Sequence, residues 1–253
     1  MTESRVIEQE VEIPAPDGRI DAYFLRVADD QPRPGVLHLP DIRGVRPAHI
    51  EKARRLARGG FAVLLVNVFY RTGRFPLFES PFDFAEERTK LRFQELTSPL
   101  TQDAVERDAR TLIDWMLAEP GVRGSRLGVV GHCFTGGMAL RYAAAVPDRV
   151  AAAASFHGGG LYNDTPTSPH LLLPRVTARL YFGHADQDRS MPAEAIAKLD
   201  EALAAWGGRH ESETYAGSLH GWTVPDNKVF DPPAADRAFE KLAALMRDEL
   251  RSE

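Results

Sequence analysis

The sequence is poor in cysteine, because its 253 residues contain only Cys133. A single cysteine excludes an internal disulfide and a zinc site built from paired thiolates. The chain also lacks an apolar run long enough to span a membrane, and residues 1–5 do not resemble the start of a signal peptide. We therefore expect a cytoplasmic protein with no membrane partner.

Positive charge is also scarce. Lys and Arg number 31 against 36 Asp and Glu, a formal net charge of −5, so the chain lacks the basic excess that neutralises a phosphate backbone. The eight histidines form no HExxH pair, no Walker loop is present, and residues 158–160 (Gly-Gly-Gly) lack the spacing of a dinucleotide-binding loop. These absences predict a protein that binds no nucleic acid, holds no metal and needs no cofactor.

The residues that are present favour one α/β domain covering residues 1–253, since 43% of them are hydrophobic and 26% are charged. Alternating polar and apolar residues on both sides of Asp17-Gly18 predict an opening antiparallel hairpin. Short apolar runs and segments of helical periodicity then alternate, which is typical of a mostly parallel sheet with helices on both faces. The strand-like runs lie at 6–13, 20–27, 35–39, 61–66, 126–131, 150–156, 176–182 and 213–216, and the helical segments at 48–56, 105–116, 137–145, 196–206 and 239–250.

Residues 69–98 interrupt this regularity, because they place several phenylalanines among prolines and charged residues. Long irregular segments in compact domains often form lids or binding loops. An ordinary packed excursion with a short helix around residues 86–96 explains the same pattern. Both interpretations stay open at this stage.

Cys133 lies where a strand is expected to turn sharply into a helix. The apolar stretch before it ends at Gly131, and the small residues Thr135, Gly136 and Gly137 follow it. A nucleophile set between small residues on such a turn is the nucleophile elbow of α/β-hydrolases, with cysteine in place of the commoner serine. The N–H groups of the helix's first turn are then free to bind an anion.

An acid and a histidine follow in the chain order nucleophile, acid, histidine that α/β-hydrolases use. Asp186 and Asp188 come after the predicted strand at 176–182, and His220 lies in a loop after the last predicted strand. A carboxylate and an imidazole at these boundaries can orient and ionise a thiol. The order of the three residues is more informative than any one of them.

The chain resembles the dienelactone hydrolase family of α/β-hydrolases, through the cysteine elbow and the Tyr-x-Gly-x-x-His-Gly segment at residues 215–221. The resemblance implies an α/β-hydrolase fold and a triad of Cys133, His220 and one of the two aspartates. In this family the triad acid keeps a usual spacing in the sequence from the end of the strand. The number of residues after Gly183 favours Asp186, which we take as the first choice, whereas the number of residues before Pro192 favours Asp188.

The resemblance also implies an oxyanion hole formed by the backbone N–H groups of Ile42 and Phe134. It assigns to Asp41 an interaction with the thiol that helps to control its ionisation. The alternative for Asp41 is a turn-forming carboxylate after Pro40. Arg71 matches one of the arginines that hold the substrate carboxylate in this family, but no second arginine follows the histidine. Trp222 lies there and indicates a more apolar or aromatic acyl or alcohol group. The alternative is that Trp222 belongs to the core, as a buried aromatic next to a histidine does equally often.

These residues predict a hydrolase that cleaves a small-molecule carboxylic ester or lactone through a covalent acyl-thioester, as a monomer or homodimer. Two alternatives remain. One is a related acyl transfer on a thioester or peptide bond, and the other is a non-enzymatic scaffold of the same fold.

Overall fold

The computed structural model describes residues 5–78 and 82–251. Within these ranges the chain forms eight strands and six α-helices. The strands are β1 (Val6–Ala15), β2 (Gly18–Val27), β3 (Arg33–Leu39), β4 (Ala62–Val66), β5 (Val122–His132), β6 (Val150–Phe156), β7 (Arg179–Gln187) and β8 (His210–Leu219). The helices are α1 (Pro47–Arg58), α2 (Glu87–Thr97), α3 (Gln102–Ala118), α4 (Gly136–Ala145), α5 (Ala193–Trp206) and α6 (Pro232–Glu249).

All eight strands form one sheet in the order β1-β2-β4-β3-β5-β6-β7-β8. β1 and β2 form the antiparallel hairpin that the sequence predicts, and β2 pairs antiparallel with β4. Every pair from β4 to β8 is parallel. The mostly parallel sheet expected from the alternating pattern is therefore confirmed.

Two hydrophobic layers cover the two faces of the sheet. Leu56 of α1 and Leu242 of α6 belong to one buried cluster, whereas Leu112 of α3, Tyr142 of α4 and Leu199 of α5 belong to the other. All five residues of β4 are apolar and buried, as expected for a central strand covered on both sides. None of the helices in the described ranges combines the length and apolar character needed to cross a bilayer.

Local signals in the sequence set the helix ends. The side chain of Thr101 accepts a hydrogen bond from Ala104 N at 3.2 Å and caps α3, and Asp231 caps α6 in the same way. The α5 helix ends at Gly207, which has a left-handed backbone with φ of 72°. The helix predicted inside the irregular segment is α2.

The irregular segment forms one wall of a cleft at the carboxyl edge of the sheet. Phe84 and Phe93 line that cleft, whereas Leu77 and Leu96 are buried in the protein. Residues 79–81 of this segment, like residues 1–4 and 252–253, lie outside the described ranges. A moving lid stays a prediction, and so does the single domain over residues 1–253.

Candidate active site

Cys133 lies directly after the carboxyl end of β5, at the start of a single 3-10 turn (Cys133–Thr135) that leads into α4. Its φ is 55°, a left-handed conformation that residues other than glycine rarely adopt. The side chain is partly exposed. A strained, accessible residue at a strand-to-helix turn is typical of a nucleophile elbow.

The turn is possible because its neighbours approach closely. A Cβ at Gly131 would lie 2.1 Å from the carbonyl oxygen of Thr135, and one at Gly136 would lie 2.7 Å from the Cα of Gly158. Thr135 is fully buried, and its hydroxyl donates to Leu39 O at 3.0 Å and accepts from His132 N at 2.9 Å. Thr135 therefore ties the elbow to the end of β3.

His220 connects the cysteine to a carboxylate. Its Nε2 lies 2.9 Å from Cys133 Sγ, and its Nδ1 lies 2.6 Å from Asp188 Oδ2. Burial disfavours the imidazolium, but the hydrogen bonds and charges of Asp188 and Cys133 outweigh it and raise the pKa of His220 to about 10. At neutral pH the imidazole therefore carries a positive charge beside Cys133.

The structure places Asp188, and not Asp186, beside His220. β7 continues to Gln187, so Asp186 is still a strand residue and is exposed, whereas Asp188 follows the strand and is buried. Asp186 Oδ2 accepts from Gly217 N at 3.0 Å on β8.

The reason is an irregularity between the last two strands. Ala185 pairs with Tyr215, but Gln187 pairs with Leu219, so two residues along β7 correspond to four along β8. Asp186 lies beside this bulge and is bonded to it. Spacing counted along one strand does not reveal a bulge in its neighbour.

Ser190 is a site residue that the sequence reasoning missed. Its hydroxyl donates to Asp188 Oδ1 at 2.6 Å and lies 3.2 Å from His220 Nδ1, and its backbone N–H donates to the same Asp188 oxygen at 2.8 Å. Burial opposes the charged form of Asp188, but His220 and Ser190 together lower its pKa. The Asp-x-Ser spacing is typical of a local Asx turn and was the available signal.

Ile42 and Phe134 both line the cleft beside Cys133. Phe134 lies in the first turn after the strand, where backbone N–H groups have no acceptor within the helix. Ile42 lies within a tight turn that is closed by the bond from Gly44 N to Asp41 O at 2.9 Å. The structure thus brings the two residues of the predicted oxyanion hole to the same cleft as the thiol.

Asp41 lines the cleft together with Cys133, but its carboxylate is bound to other groups. Its two carboxylate oxygens accept from Arg46 at 2.6 and 2.8 Å, and one of them also accepts from Arg43 N. Burial opposes its charge, but His49 and Arg46 hold the pKa of Asp41 well below its usual range. Because both carboxylate oxygens of Asp41 accept hydrogen bonds from these donors, Asp41 holds the loop that carries Ile42 in place.

Arg71 is not among the residues that line the cleft. Its guanidinium forms ion pairs with Asp108 at 2.7 Å and with Asp17 at 2.7 Å, and it stacks over the ring of Tyr70. Asp108 is buried, so this arginine is needed as its counter-ion. The expectation that Arg71 holds a substrate carboxylate is corrected.

Trp222 is fully buried and packs against Tyr215, with ring centroids 4.2 Å apart, and against Phe156. The turn after His220 points this ring into the core. Trp222 therefore packs in the core beneath the loop that carries His220. The expectation that it touches substrate is also corrected.

Two lobes of the cleft meet at Cys133 and His220. One has a volume of about 660 Å³ and is lined by apolar side chains that include Phe84, Phe93 and Met138. The other has about 680 Å³ and is more polar, with Arg43 among its lining residues. A substrate can therefore place an apolar group on one side of the thiol and a polar group on the other.

The described residues contain one group of side chains with the spacing of metal ligands. One nitrogen from each of His38, His49 and His132 lies within 4.8 Å of the others, and all three residues are buried. His38 Nε2 is 2.9 Å from His49 Nδ1, and His49 Nε2 accepts from Asp41 N at 3.2 Å. His38 Nε2 and both nitrogens of His49 therefore already have partners, which fits a hydrogen-bonded cluster better than a metal centre.

Known proteins resemble this chain over most of its length. Residues 20–250 match the model of the "Dienelactone hydrolase family". A "Putative carboxymethylenebutenolidase" of Synechocystis is 26% identical over 246 residues, which cover 95% of this chain and 96% of that protein. A "Carboxymethylenebutenolidase" of Rhodococcus opacus is 27% identical over 197 residues, which cover 76% of this chain and 73% of that protein.

A solved structure shows the same fold. The crystal structure of a "Putative Dienelactone Hydrolase" from Klebsiella pneumoniae superposes with a TM-score of 0.85 at 23% identity, and the match covers 96% of this chain and 98% of that one. The predicted α/β-hydrolase fold is therefore confirmed.

Proposed function

The chain belongs to the dienelactone hydrolase family, a family of hydrolases, and from its cleft we propose that it cleaves a carboxylic ester or lactone through a covalent acyl-thioester on Cys133. The observation that carries this proposal is the chain of contacts from Cys133 Sγ to His220 Nε2 at 2.9 Å and from His220 Nδ1 to Asp188 Oδ2 at 2.6 Å. Asp188 takes the role of the acid, which the sequence analysis had given first to Asp186.

In the first half of the reaction the thiolate attacks the carbonyl carbon and a C–S bond forms. The C–O bond to the alcohol then breaks, and the proton of His220 Nε2 passes to the leaving alkoxide. In the second half His220 takes a proton from water, the hydroxide attacks the thioester carbon, and the thiolate leaves as the acid is released. Asp188 holds the imidazole in one orientation and tautomer throughout.

The oxyanion of each tetrahedral intermediate is stabilised by the backbone N–H groups of Ile42 and Phe134. Loss of one such donor costs about 3 kcal/mol of transition-state stabilisation in enzymes of this kind. The ion pairs of Asp41 with Arg46 hold the Ile42 turn in place. This acyl-transfer chemistry requires only side chains and backbone groups of the protein.

The substrate is a small molecule with an apolar acyl group, because phenylalanines and Met138 line the lobe beyond the thiol. A lactone is included in the substrate class because the matched relatives carry the name carboxymethylenebutenolidase. Arg71 is bound to Asp108 and Asp17, so a carboxylate on the substrate does not depend on it.

The test is hydrolysis of p-nitrophenyl acetate and of the thioester and anilide with the same acyl group. Wild type is expected to cleave the ester, Cys133→Ala to lose activity, and Cys133→Ser to keep a low rate, because serine is a weaker nucleophile in the same place. Mass spectrometry of acid-quenched wild type should show one acyl group on Cys133. Equal turnover by wild type and Cys133→Ala would contradict the proposal, and preferential cleavage of the thioester or anilide would favour the related acyl transfers.

A further inference from the structure

A second cavity lies between α1 and α6, separate from the catalytic cleft. Its volume is about 150 Å³, and it shares no lining residue with either lobe that contains Cys133. Its walls are mostly apolar, and they include Leu56, Phe156, Ala238, Phe239 and Leu242. Four basic side chains, Lys52, Arg55, His38 and His132, and two acidic ones, Glu51 and Asp236, also line it. Arg55 pairs with Asp236, and Glu51 pairs with Arg54 and Arg58. We call it the α1/α6 cavity.

Lys52 brings a positive charge to this cavity without a counter-ion. Its Nζ donates to Thr223 O at 2.8 Å, and within the described ranges no carboxylate lies within salt-bridge distance of it. Asp41, the anion that acts on it most strongly, is itself bound to Arg46. Burial lowers the pKa of Lys52 to about 7. An ammonium group withdrawn from water is stable only when an anion or several acceptors face it.

His38 adds a buried polar atom that has no partner. Its Nε2 lies 2.9 Å from His49 Nδ1, and burial lowers the pKa of His38 well below its usual value, so its ring is neutral. The other nitrogen of the ring is Nδ1. That buried atom finds no partner among the described residues. A buried polar atom left without a hydrogen-bond partner is destabilising.

We propose that the α1/α6 cavity binds a small organic monocarboxylate, whose carboxylate pairs with Lys52 and accepts from His38 Nδ1 while its apolar body fills the space between Leu56 and Leu242. A cavity of about 150 Å³ with apolar walls holds a molecule the size of benzene. A single negative charge matches the one ammonium group, whereas a dianion such as phosphate leaves a surplus charge against apolar walls. The site does not depend on the proposed hydrolytic function.

The test uses benzoate as the probe and benzyl alcohol as its neutral analogue, with isothermal titration calorimetry on protein whose Cys133 is alkylated by iodoacetamide. Benzoate is expected to bind one site per chain, and at least about tenfold more tightly than benzyl alcohol, which corresponds to about 1.4 kcal/mol. Lys52→Met should weaken benzoate binding by at least about tenfold. Lys198→Met is the matched control, because Lys198 is exposed and pairs with Glu194 on α5.

A second variant, Ala235→Leu, fills the cavity from α6 and leaves Lys52 in place. It should also abolish benzoate binding, and it decides the question if Lys52→Met does not fold, as judged by circular dichroism. Absence of saturable benzoate binding overturns the proposal. So does equal affinity for benzyl alcohol, or binding that survives both cavity variants. Because the thiol is blocked in every titration, failure of this proposal is independent of any failure of the esterase assay.

Discussion

Replacing Asp188 by asparagine keeps the size of the side chain but removes the negative charge beside His220. Asp188 Oδ2 lies 2.6 Å from His220 Nδ1, and Asp188 is buried. An asparagine there can donate a hydrogen bond from its NH₂ group to Nδ1. The imidazole proton then lies on Nε2 instead of Nδ1, so the nitrogen that faces Cys133 is in the wrong protonation state. Asp186→Asn is the matched control, because Asp186 is exposed and accepts a hydrogen bond from the backbone of Gly217.

The size of the effect follows from two contributions. A hydrogen bond to a charged partner contributes about 1.5–3 kcal/mol, which is a factor of about 10–150 in rate. Loss of the correct tautomer raises the total, and the corresponding change in a serine protease triad costs about 10⁴ in kcat. We therefore expect Asp188→Asn to lower kcat/KM by about 10²–10⁴, and Asp186→Asn to lower it by less than about threefold, since an amide oxygen still accepts from Gly217 N.

The assay is hydrolysis of p-nitrophenyl acetate across pH, together with the rate at which iodoacetamide inactivates the enzyme. Asp188→Asn should also slow inactivation near neutral pH, because His220 loses the charge that raises its pKa to about 10. If Asp186→Asn is impaired as much as Asp188→Asn, or if Asp188→Asn keeps more than about a third of wild-type kcat/KM, the assignment of Asp188 as the acid is refuted.

Three further predictions concern stability. Gly136→Ala should lower the free energy of unfolding by about 1–3 kcal/mol, because the new Cβ meets Ser155 Oγ at 2.4 Å and Gly158 Cα at 2.7 Å. Gly137→Ala is its control, and it should be neutral or stabilising, since its Cβ meets only Pro169 at 3.3 Å. Urea titrations that give both variants the same stability would contradict this. Arg71→Gln should cost about 3–5 kcal/mol of stability by leaving Asp108 buried and unpaired, with an unchanged KM for an anionic ester. A raised KM would restore Arg71 as a substrate ligand. The pKa of His220 is raised to about 10 in the folded protein from about 6.5 in the unfolded chain, so its stabilising contribution is complete below about pH 6.5 and is lost as the pH rises through about 10. The loss of stability in His220→Gln relative to wild type should therefore be larger at pH 6 than at pH 10 in urea titrations, and a difference that does not shrink contradicts the raised pKa.

The fold was largely predictable because it rests on local signals. Residues that are adjacent in the sequence determine each of three such features. These are the apolar run that forms β4, the hairpin around Asp17-Gly18 and the turn before Cys133. The α2 helix was predicted to within a residue at each end of the segment around 86–96. These local signals are sufficient to predict the fold because parallel strands with helical crossovers allow few alternative topologies.

The errors share one cause, which is that each concerned a contact between distant parts of the chain. Arg71 pairs with Asp108, 37 residues later, and Trp222 packs against Phe156. The cluster of His38, His49 and His132 likewise joins residues from β3, α1 and β5. No spacing in the sequence distinguishes an arginine that faces a cleft from one that faces a buried carboxylate.

The sequence by itself determined the order of strands and helices, the elbow that carries Cys133, and the loop that carries His220. Only the tertiary structure decided which aspartate reaches that histidine. The bulge between β7 and β8 places Asp186 against a backbone N–H and leaves Asp188 to meet the imidazole. A local sequence determines whether a strand forms, but the register between two strands depends on both of them, and that register is what directs each carboxylate.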